Sequence, residues 1–359
     1  MSFRLVTKLT VPLTFFGYAA FANLSLFTGE AEKPVPDALL NGEFTSEIDS
    51  LYRANLPHRE PAVGLVGALR YLTLNEGRKG VVAGESGWLF TDEEFRDQDI
   101  ALQGLSETLD WIVTIQQDLA TYGTELVLVP IPAKIEFSQT PSHTDQITAI
   151  AATYDTFVSN TIQAGIKTVD TRSALESTEL AFFHTDTHWT IEGAAAVAES
   201  LSQSGLVQSG SDSFERVPLA PLSFEGDLVS FVTSERLAPI IGLPAETVAP
   251  YAANPLSVDA QTGSLDLFGA DTAAPSVLVG TSYSANPNWS FLEALKLSLS
   301  QDIVNYAQEG RGPIAPMQDF LDKLDPANAP PVVIWEFPIR YLSDPSLKDT
   351  LNNSGDENA

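Results

Sequence analysis

The spacing of apolar residues along the chain predicts helices that alternate with buried strands. In the first regular segment, apolar residues recur at three- and four-residue steps, the period of a helix with one buried face, at Leu105, Leu109, Ile112, Ile115 and Leu119. Gly123 ends this helix. The run from Glu125 to Ile131 follows and is rich in Val and Leu without polar alternation, as expected for a strand covered on both faces.

The same alternation continues through the rest of the chain. Further helices are predicted over about 148–163, 190–203 and 290–300, and further strands over 166–170, 276–279, 303–306 and 331–337. Strands that alternate with helices in this way pair in parallel, with right-handed crossovers. The predicted fold class is therefore α/β, with a parallel sheet and helices on both of its faces.

The domain organisation follows from shifts in composition. A main domain is predicted over 80–345, opening with a glycine-punctuated hairpin over 80–90. Within it, about 205–274 is rich in Pro, Gly and Ser and is interpreted as an inserted, lid-like region. Residues 31–79 are interpreted as a tether with entrance helices, and 346–359 as a polar tail.

The N-terminal 30 residues have the pattern of an export signal. Arg4 and Lys8 precede an apolar stretch over 9–27, and the acidic Glu30 follows it. Cleavage after Ala22 would release the chain, whereas retention would leave a signal anchor of nearly the ~20 residues that a membrane span requires. Both outcomes place the body of the chain outside the cytoplasmic membrane, because Arg4 and Lys8 keep the N-terminus on the cytoplasmic side. The expected location is the periplasm.

Charge and cysteine content exclude several classes of function. The chain has 19 basic and 47 acidic residues, a formal net charge of -28, which argues against binding nucleic acid through phosphate neutralisation. It contains no cysteine, so thiol nucleophiles, thiolate-bound zinc and disulfides are excluded together.

Two of the four histidines lie in the segment Phe-His-Thr-Asp-Thr-His-Trp-Thr over 183–190. A histidine that takes a proton from a serine must be held in one tautomer, and a carboxylate on its other ring nitrogen does this. Asp186 is two residues before His188 and can orient it from the same loop. Thr190 is the predicted N-cap of the next helix, with Glu192 in its first turn. A role limited to capping and packing this helix remains an alternative.

The candidate nucleophile lies after the strand predicted over 276–279. Gly280, Thr281 and Ser282 follow this strand, and reactive groups of open α/β sheets gather beyond the carboxyl ends of strands. Gly280 is predicted to permit a sharp turn that exposes the Ser282 hydroxyl and directs backbone N–H groups at a developing oxyanion. The Gly-x-Ser-x-Gly elbow of lipases is absent from this segment.

Taken together, these motifs resemble the SGNH hydrolase-like acetyltransferases of alginate biosynthesis, the AlgJ and AlgX family. The resemblance rests on five segments in matching order, Gly-Glu-Ser-Gly-Trp-Leu-Phe at 84–90, Asp-Thr-His-Trp-Thr at 186–190, Glu-Gly-Asp-Leu at 225–228, Gly-Thr-Ser-Tyr-Ser at 280–284 and Trp-Glu-Phe-Pro at 335–338. It implies a flavodoxin-like sheet in which the Asp/His pair comes before the serine, a permuted order relative to ordinary SGNH hydrolases.

The resemblance also implies the roles of individual residues and partners. Ser282 would be the nucleophile, His188 the general base and Asp186 its orienting acid, in a two-step transfer through an acyl-serine. The acceptor would be an exported polysaccharide, and a membrane-bound O-acyltransferase would supply the acetyl group alongside other polysaccharide assembly proteins. No cofactor is implied. Three further residues are candidates for the oxyanion hole or for substrate contact, Asn288, Tyr283 and Arg340.

Three alternatives remain open at this point. A metal-dependent hydrolase could use His184, Asp186 and His188, because alternate residues of an extended segment point to one side. An acetylesterase with the same triad would transfer the acyl group to water. A non-catalytic binding protein of the assembly complex would use 205–274 as its contact surface.

Overall fold

The computed structural model describes residues 3–28, 33, 43–138, 143–256, 275–344 and 347. Eleven strands lie in these ranges, at β1 Val81–Ala83, β2 Leu89–Thr91, β3 Glu125–Ile131, β4 Lys167–Thr168, β5 Phe214–Pro218, β6 Leu222–Phe224, β7 Glu246–Val248, β8 Tyr251–Pro255, β9 Ser276–Val279, β10 Ile303–Asn305 and β11 Val332–Pro338. The helices are α1 Phe3–Thr28, α2 Phe44–Asn55, α3 Arg59–Leu74, α4 Gln98–Thr121, α5 Thr144–Gln163, α6 Arg172–Glu176, α7 Ile191–Ser204, α8 Ser282–Ala285, α9 Phe291–Leu299 and α10 Ile314–Asp322.

The centre of the fold is a five-stranded, all-parallel sheet in the order β10-β9-β11-β3-β4. If β9, β10, β11, β3 and β4 are numbered 1 to 5 in that order, the sheet reads 2-1-3-4-5, which is the flavodoxin-like order. The numbering starts at β9 because the chain is permuted. The predicted fold class is confirmed, including the permutation that places the Asp/His segment before the serine. The topological switch point, where ligands bind in such sheets, lies between β9 and β11.

Apolar side chains cover both faces of the sheet, as the uninterrupted hydrophobic strands predict. All seven residues of β11 are buried, as are six of the seven in β3. One core packs α7 and α9 against the sheet through residues such as Val197, Leu201 and Leu295. The core on the opposite face packs α4, α5 and α10. The strand ends that carry the candidate residues are therefore held in a rigid framework.

The entrance to this domain matches the predicted hairpin. β1 and β2 pair antiparallel, and Ser86 and Gly87 between them both have positive φ values, 56° and 82°. The residues before it form the entrance helices α2 and α3. Most of the predicted tether over 31–42 and nearly all of the polar tail over 346–359 lie outside the described residues.

The predicted export signal forms the helix α1. None of the helices within the described ranges has the length and apolar character needed to cross a membrane.

The segment over 205–274 contains two small antiparallel sheets, as far as it is described. β5 pairs with β8, and β6 pairs with β7; residues 257–274 lie outside the described part. Leu228, Val229 and Val232 pack with the β1–β2 hairpin in a third hydrophobic cluster. The segment is thus built into the body of the domain over its described length, beside the loop that carries Asp186 and His188.

Candidate active site

The side chains of Ser282, His188 and Asp186 form a continuous hydrogen-bonded chain. The Ser282 Oγ lies 2.7 Å from His188 Nε2, across 94 residues of sequence. On the other side of the ring, His188 Nδ1 lies 2.6 Å from Asp186 Oδ1. This is the arrangement in which a carboxylate fixes the imidazole tautomer and the free nitrogen accepts the serine proton. The fold therefore brings together the three residues that the sequence analysis selected.

The acid of this chain is held in its charged form. Burial alone would raise the pKa of Asp186, but the hydrogen bonds and charge of His188 and the backbone N–H of Asp227 outweigh it, and the pKa lies below its ordinary value. The His188 and Asp186 side chains are only 12% and 5% exposed. A carboxylate in such a site stabilises an adjacent imidazolium more strongly than it would in water.

Asp186 and His188 lie on a compact loop between the isolated bridge partners Phe182 and Trp189. The Phe183 N–H donates to the His188 carbonyl at 3.1 Å and closes the loop. Thr190 then caps α7, because its hydroxyl accepts from the Gly193 N–H at 3.1 Å. The predicted N-cap is confirmed, so the base is fixed at a helix start. Residues 184–188 are called the catalytic loop below.

Carboxylates from the inserted segment hold the backbone N–H groups of the catalytic loop. The Thr185 N–H donates to Glu246 Oε1 at 2.7 Å, and the Thr187 N–H donates to Asp227 Oδ1 at 2.8 Å. In return, the Asp227 N–H donates to Asp186 Oδ2 at 3.0 Å. The Glu-Gly-Asp-Leu segment thus lies beside the triad and supplies one of its hydrogen bonds.

Buried donors hold the carbonyl groups of the same loop. The Lys134 ammonium donates to the carbonyls of His184 at 2.9 Å and Asp186 at 2.8 Å. The Tyr283 hydroxyl donates to the Thr187 carbonyl at 2.7 Å and accepts from Arg340 Nη1 at 2.9 Å. A loop without regular secondary structure is thereby given partners for its main-chain groups, as a buried backbone requires.

The nucleophile is positioned by the turn after β9. Thr281 is the N-cap of α8, and Ser282 is the first residue of that helix, where backbone N–H groups have no helical acceptor. The fully buried carboxylate of Glu336 accepts from the Thr281 N–H at 2.7 Å and from the Ser284 hydroxyl at 3.0 Å. Burial raises the pKa of Glu336, while these donors act in the opposite direction. Glu336, on β11, therefore ties the nucleophile turn to the centre of the sheet.

Gly280 is required for space at this turn, which differs from the conformational reason predicted. Its φ is not among the positive values of the chain. A Cβ at this position would lie 2.4 Å from Glu336 Oε2 and 2.9 Å from Glu336 Cβ. Real Cβ contacts are essentially never that short.

We expect Gly280→Ala to lower the free energy of unfolding by about 3 kcal/mol, because the buried Glu336 carboxylate must move away from its donors. Urea denaturation followed by circular dichroism measures this change. Gly165→Ala is the matched control, because a Cβ added at Gly165 would have no atom within 4 Å and only the positive φ of 82° opposes the substitution. We expect it to lower the free energy of unfolding by about 1 kcal/mol. Equal losses in the two variants would contradict the role of Glu336 at this turn.

Aromatic rings enclose the imidazole of His188. The Trp289 ring stacks on it with centroids 5.2 Å apart, and the Tyr283 ring lies 4.9 Å away. Both aromatic side chains are buried. They exclude water from one side of the base and restrict its rotation, while Ser282 and His188 stay partly exposed and Asp186 is buried.

The three further candidates from the sequence differ in their surroundings. Tyr283 and Arg340 are 1% and 6% exposed, and their polar groups bind each other, Glu93 and the catalytic loop. These bonds support a structural function for both. Asn288 is partly exposed, and its backbone N–H donates to the Asn286 side chain at 3.0 Å. A role of Asn288 in the oxyanion hole stays a prediction.

A metal site built from His184, Asp186 and His188 is not formed. The catalytic loop is folded back on itself, so alternate side chains do not share one side as they would in an extended strand. The His184 ring packs on Trp88, with centroids 4.6 Å apart. Within the described ranges, the potential ligand atoms that lie within 4.8 Å of one another belong to Asp186, His188 and Asp227. In that group, both ring nitrogens of His188 are already bonded to Asp186 and Ser282.

Several residues that shape the site were not selected from the sequence for this role. Glu246, Glu94 and Lys134 gave no motif signal. Glu336 and Asp227 lay in recognised segments without an assigned function. Their contacts join positions 40 to 61 residues apart, such as Thr185 with Glu246 and Lys134 with Glu94. Local patterns carry no information about pairings of this kind.

The switch-point position of the serine, the Ser-His-Asp chain and the 2-1-3-4-5 sheet define the class of SGNH-like serine enzymes. Residues 81–339 match the family described as "SGNH hydrolase-like domain, acetyltransferase AlgX". The chain belongs to this family.

Comparison with individual relatives agrees. "Probable alginate O-acetylase AlgJ" of Pseudomonas syringae pv. tomato is 35% identical over 341 residues, which cover 92% of this chain and 85% of the relative. The solved structure "O-Acetyltransferase Domain of Pseudomonas putida AlgJ" superposes with a TM-score of 0.62 at 32% identity, covering 77% of this chain and 99% of that one. Pseudomonas aeruginosa AlgX shares the fold, with a TM-score of 0.56 at 23% identity over 74% of this chain and 67% of that one.

Proposed function

We propose that this protein transfers acetyl groups through an acyl-serine onto hydroxyl groups of an exported polysaccharide, alginate or a similar polymer. The observation that supports it most directly is the 2.7 Å contact between Ser282 Oγ and His188 Nε2, in a chain similar over most of its length to proteins named alginate O-acetylase. An activated serine and a family of acetyltransferases point to the same chemistry.

In the first step, the Ser282 oxygen attacks the carbonyl carbon of the acetyl donor while His188 Nε2 takes the hydroxyl proton. The bond from that carbon to the donor's leaving group then breaks, and the imidazolium returns the proton to the leaving group. The backbone N–H of Ser282, at the start of α8, lies on the same turn as the nucleophile and can stabilise the tetrahedral oxyanion, whereas the N–H groups of Thr281 and Tyr283 donate to protein acceptors. The products are acetyl-Ser282 and the deacylated donor.

In the second step, a sugar hydroxyl replaces the leaving group. His188 takes the proton of this hydroxyl, its oxygen attacks the acetyl carbon, and the Ser282 oxygen leaves and regains the proton from His188. Asp186 stabilises the imidazolium in both steps. Water in place of the sugar would give net ester hydrolysis with the same residues, so the outcome depends on which hydroxyl reaches the acyl-enzyme.

We also propose where the reaction occurs and what supplies it. The basic residues ahead of the apolar stretch at 9–27 favour export, and the chain would then act in the periplasm, whether released near Ala22 or retained. An acetyl donor made in the cytoplasm must then be delivered across the membrane, which favours a membrane-bound O-acyltransferase partner together with other polysaccharide assembly proteins. Separation of periplasm from membranes, followed by immunoblotting, locates the chain.

The transfer function is tested with purified protein, an activated acetyl ester and a panel of oligosaccharides. We expect acetylated sugar to accumulate with oligomannuronate, and we expect ester hydrolysis without acceptor to be slower. The matched reaction uses a neutral glucan oligosaccharide of the same length. If ester hydrolysis is rapid and no member of the panel is acetylated, the protein is an esterase and the transfer proposal is wrong.

A further inference from the structure

A buried lysine lies directly beneath the catalytic loop. Lys134 follows the carboxyl end of β3 and is 1% exposed. Its ammonium donates to three main-chain carbonyls, those of Leu89 at 2.5 Å, His184 at 2.9 Å and Asp186 at 2.8 Å. An ammonium group has three N–H donors, so these bonds use all of them.

We propose that Lys134 is a positioning residue that holds Asp186, and through it His188, in catalytic geometry by fixing the main chain of the catalytic loop. The inference rests on the proposed function of the triad. It assigns Lys134 no contact with substrate, because the side chain is covered by the loop and by the β1–β2 hairpin.

Several further contacts fix the position of the Lys134 ammonium. The carboxylate of Glu94 accepts from the backbone N–H groups of Lys134 at 3.1 Å and Ile135 at 2.9 Å, which fixes the main chain that carries the lysine. The rings of Trp88 and Phe90 each lie 5.4 Å from the Lys134 nitrogen. A cation that faces aromatic rings on one side and carbonyl oxygens on the other has little freedom to move.

The charge of Lys134 complements the carboxylates that hold the other side of the loop. Glu94, Asp186, Asp227 and Glu246 all interact favourably with the ammonium. Asp227 and Glu246 accept hydrogen bonds from the N–H groups of Thr187 and Thr185, respectively. The catalytic loop therefore lies between these two carboxylates and the Lys134 ammonium. Without the cation, the loop would keep its anionic partners and lose the donors for two of its carbonyls, which would displace Asp186.

Lys134 loses this function when it loses its proton. Burial lowers the pKa of Lys134 to about 8, although the four carboxylates favour the charged form. A neutral amine has two N–H donors and directs a lone pair at the third carbonyl. Activity is therefore expected to fall as the pH rises through about 8, and this alkaline limb belongs to Lys134.

The test compares acylation of the full chain by para-nitrophenyl acetate in Lys134→Met, Lys134→Arg and the control Lys167→Met. Lys167 is 39% exposed and pairs with Glu125, away from the catalytic loop. We expect Lys134→Met to slow acylation about 100-fold with little change in KM, the effect of a small misplacement of reacting groups. Lys134→Arg keeps the charge and should lose the alkaline limb, because arginine does not titrate in this range. Lys167→Met should match the unmodified protein.

A folded Lys134→Met variant that acylates at the unmodified rate would overturn the proposal, and so would an unchanged alkaline limb in Lys134→Arg. If neither variant folds, the pH profile of the unmodified protein decides, and activity that stays constant well above pH 8 overturns it. Ser282→Ala is measured in parallel. An active Ser282→Ala would refute the proposed function itself, whereas an inactive Ser282→Ala beside a fully active Lys134→Met would refute only the role of Lys134.

Discussion

Replacing Ser282 by alanine is expected to reduce acetyl transfer by a factor on the order of 10⁴ to 10⁶, because the covalent intermediate can no longer form. The variant should fold normally, because Ser282 is partly exposed and removal of its hydroxyl frees a hydrogen-bonding group of His188 that water can reach. The measurement is the rate of acetyl transfer to the oligosaccharide acceptor, followed by chromatography of the products.

Ser177→Ala is the matched control for this variant, because Ser177 is exposed and its hydroxyl bonds only within its own helical turn, to Ser173. It should keep full activity. Substantial acetyl transfer by Ser282→Ala would mean that another group carries the acetyl. It would contradict the role of Ser282 as the nucleophile and favour a non-catalytic, binding function for this residue's surroundings.

Replacing Asp186 by asparagine is expected to lower the turnover rate by about 10⁴, as loss of the orienting carboxylate does in serine enzymes of this type. An asparagine cannot satisfy both of its neighbours here. If its oxygen faces His188 Nδ1, its NH₂ group faces the Asp227 N–H, which is also a donor. In the opposite orientation, the NH₂ group faces His188 and favours the wrong tautomer. Turnover of para-nitrophenyl acetate measures the loss.

Stability should report the same carboxylate. Since the folded pKa of Asp186 lies below the ordinary 3.8, its ionisation stabilises the fold at neutral pH, and this contribution is lost as the pH falls through the folded value. Asp186→Asn should therefore lose less stability between neutral and acidic pH than the unmodified chain. Asp155→Asn is the control, because the Asp155 carboxylate is 67% exposed and forms a surface ion pair.

For the turnover prediction, an Asp186→Asn variant with unaltered turnover would contradict the role of Asp186.

The sequence predicted the central sheet well because its strands are buried on both faces. The strands predicted at 125–131 and 276–279 coincide with β3 and β9, and the predicted helices near 190–203 and 290–300 match α7 and α9 within a residue. α10 was missed, because Pro316 lies in its first turn and indicates a break in a helix when only the sequence is considered. Residue pairs such as Asp186 and His188 were recognisable because they are neighbours in the chain.

The surroundings of the triad could not be predicted in the same way. Glu336 contacts Thr281, 55 residues away, and Lys134 contacts Asp186, 52 residues away. Nothing in the local pattern distinguishes a buried Glu or Lys from a surface one. The inserted segment was interpreted as a lid because of its Pro, Gly and Ser content. Its strands and its Asp227 and Glu246 contacts show that its described part also supports the catalytic loop.

The position of the buried cations bears on how an acidic polymer is accommodated. A chain with a formal charge of -28 repels polyanions at low salt. Arg340 and Lys134 are buried and bonded to main chain and to protein side chains, so they contribute to the site mainly by supporting the loop. We expect acetyl transfer to a polyuronate to improve with moderate salt, which screens this repulsion.

The most direct test of the account is intact-protein and peptide mass spectrometry after brief exposure to an activated acetyl ester, quenched in acid before the second step. We predict a single acetyl group on Ser282 of the unmodified chain, greatly reduced labelling in His188→Ala, and loss of the label when oligosaccharide acceptor is added before the quench. Labelling at a different residue, or labelling of Ser282 that proceeds equally well without His188, would contradict the proposed Ser-His-Asp mechanism.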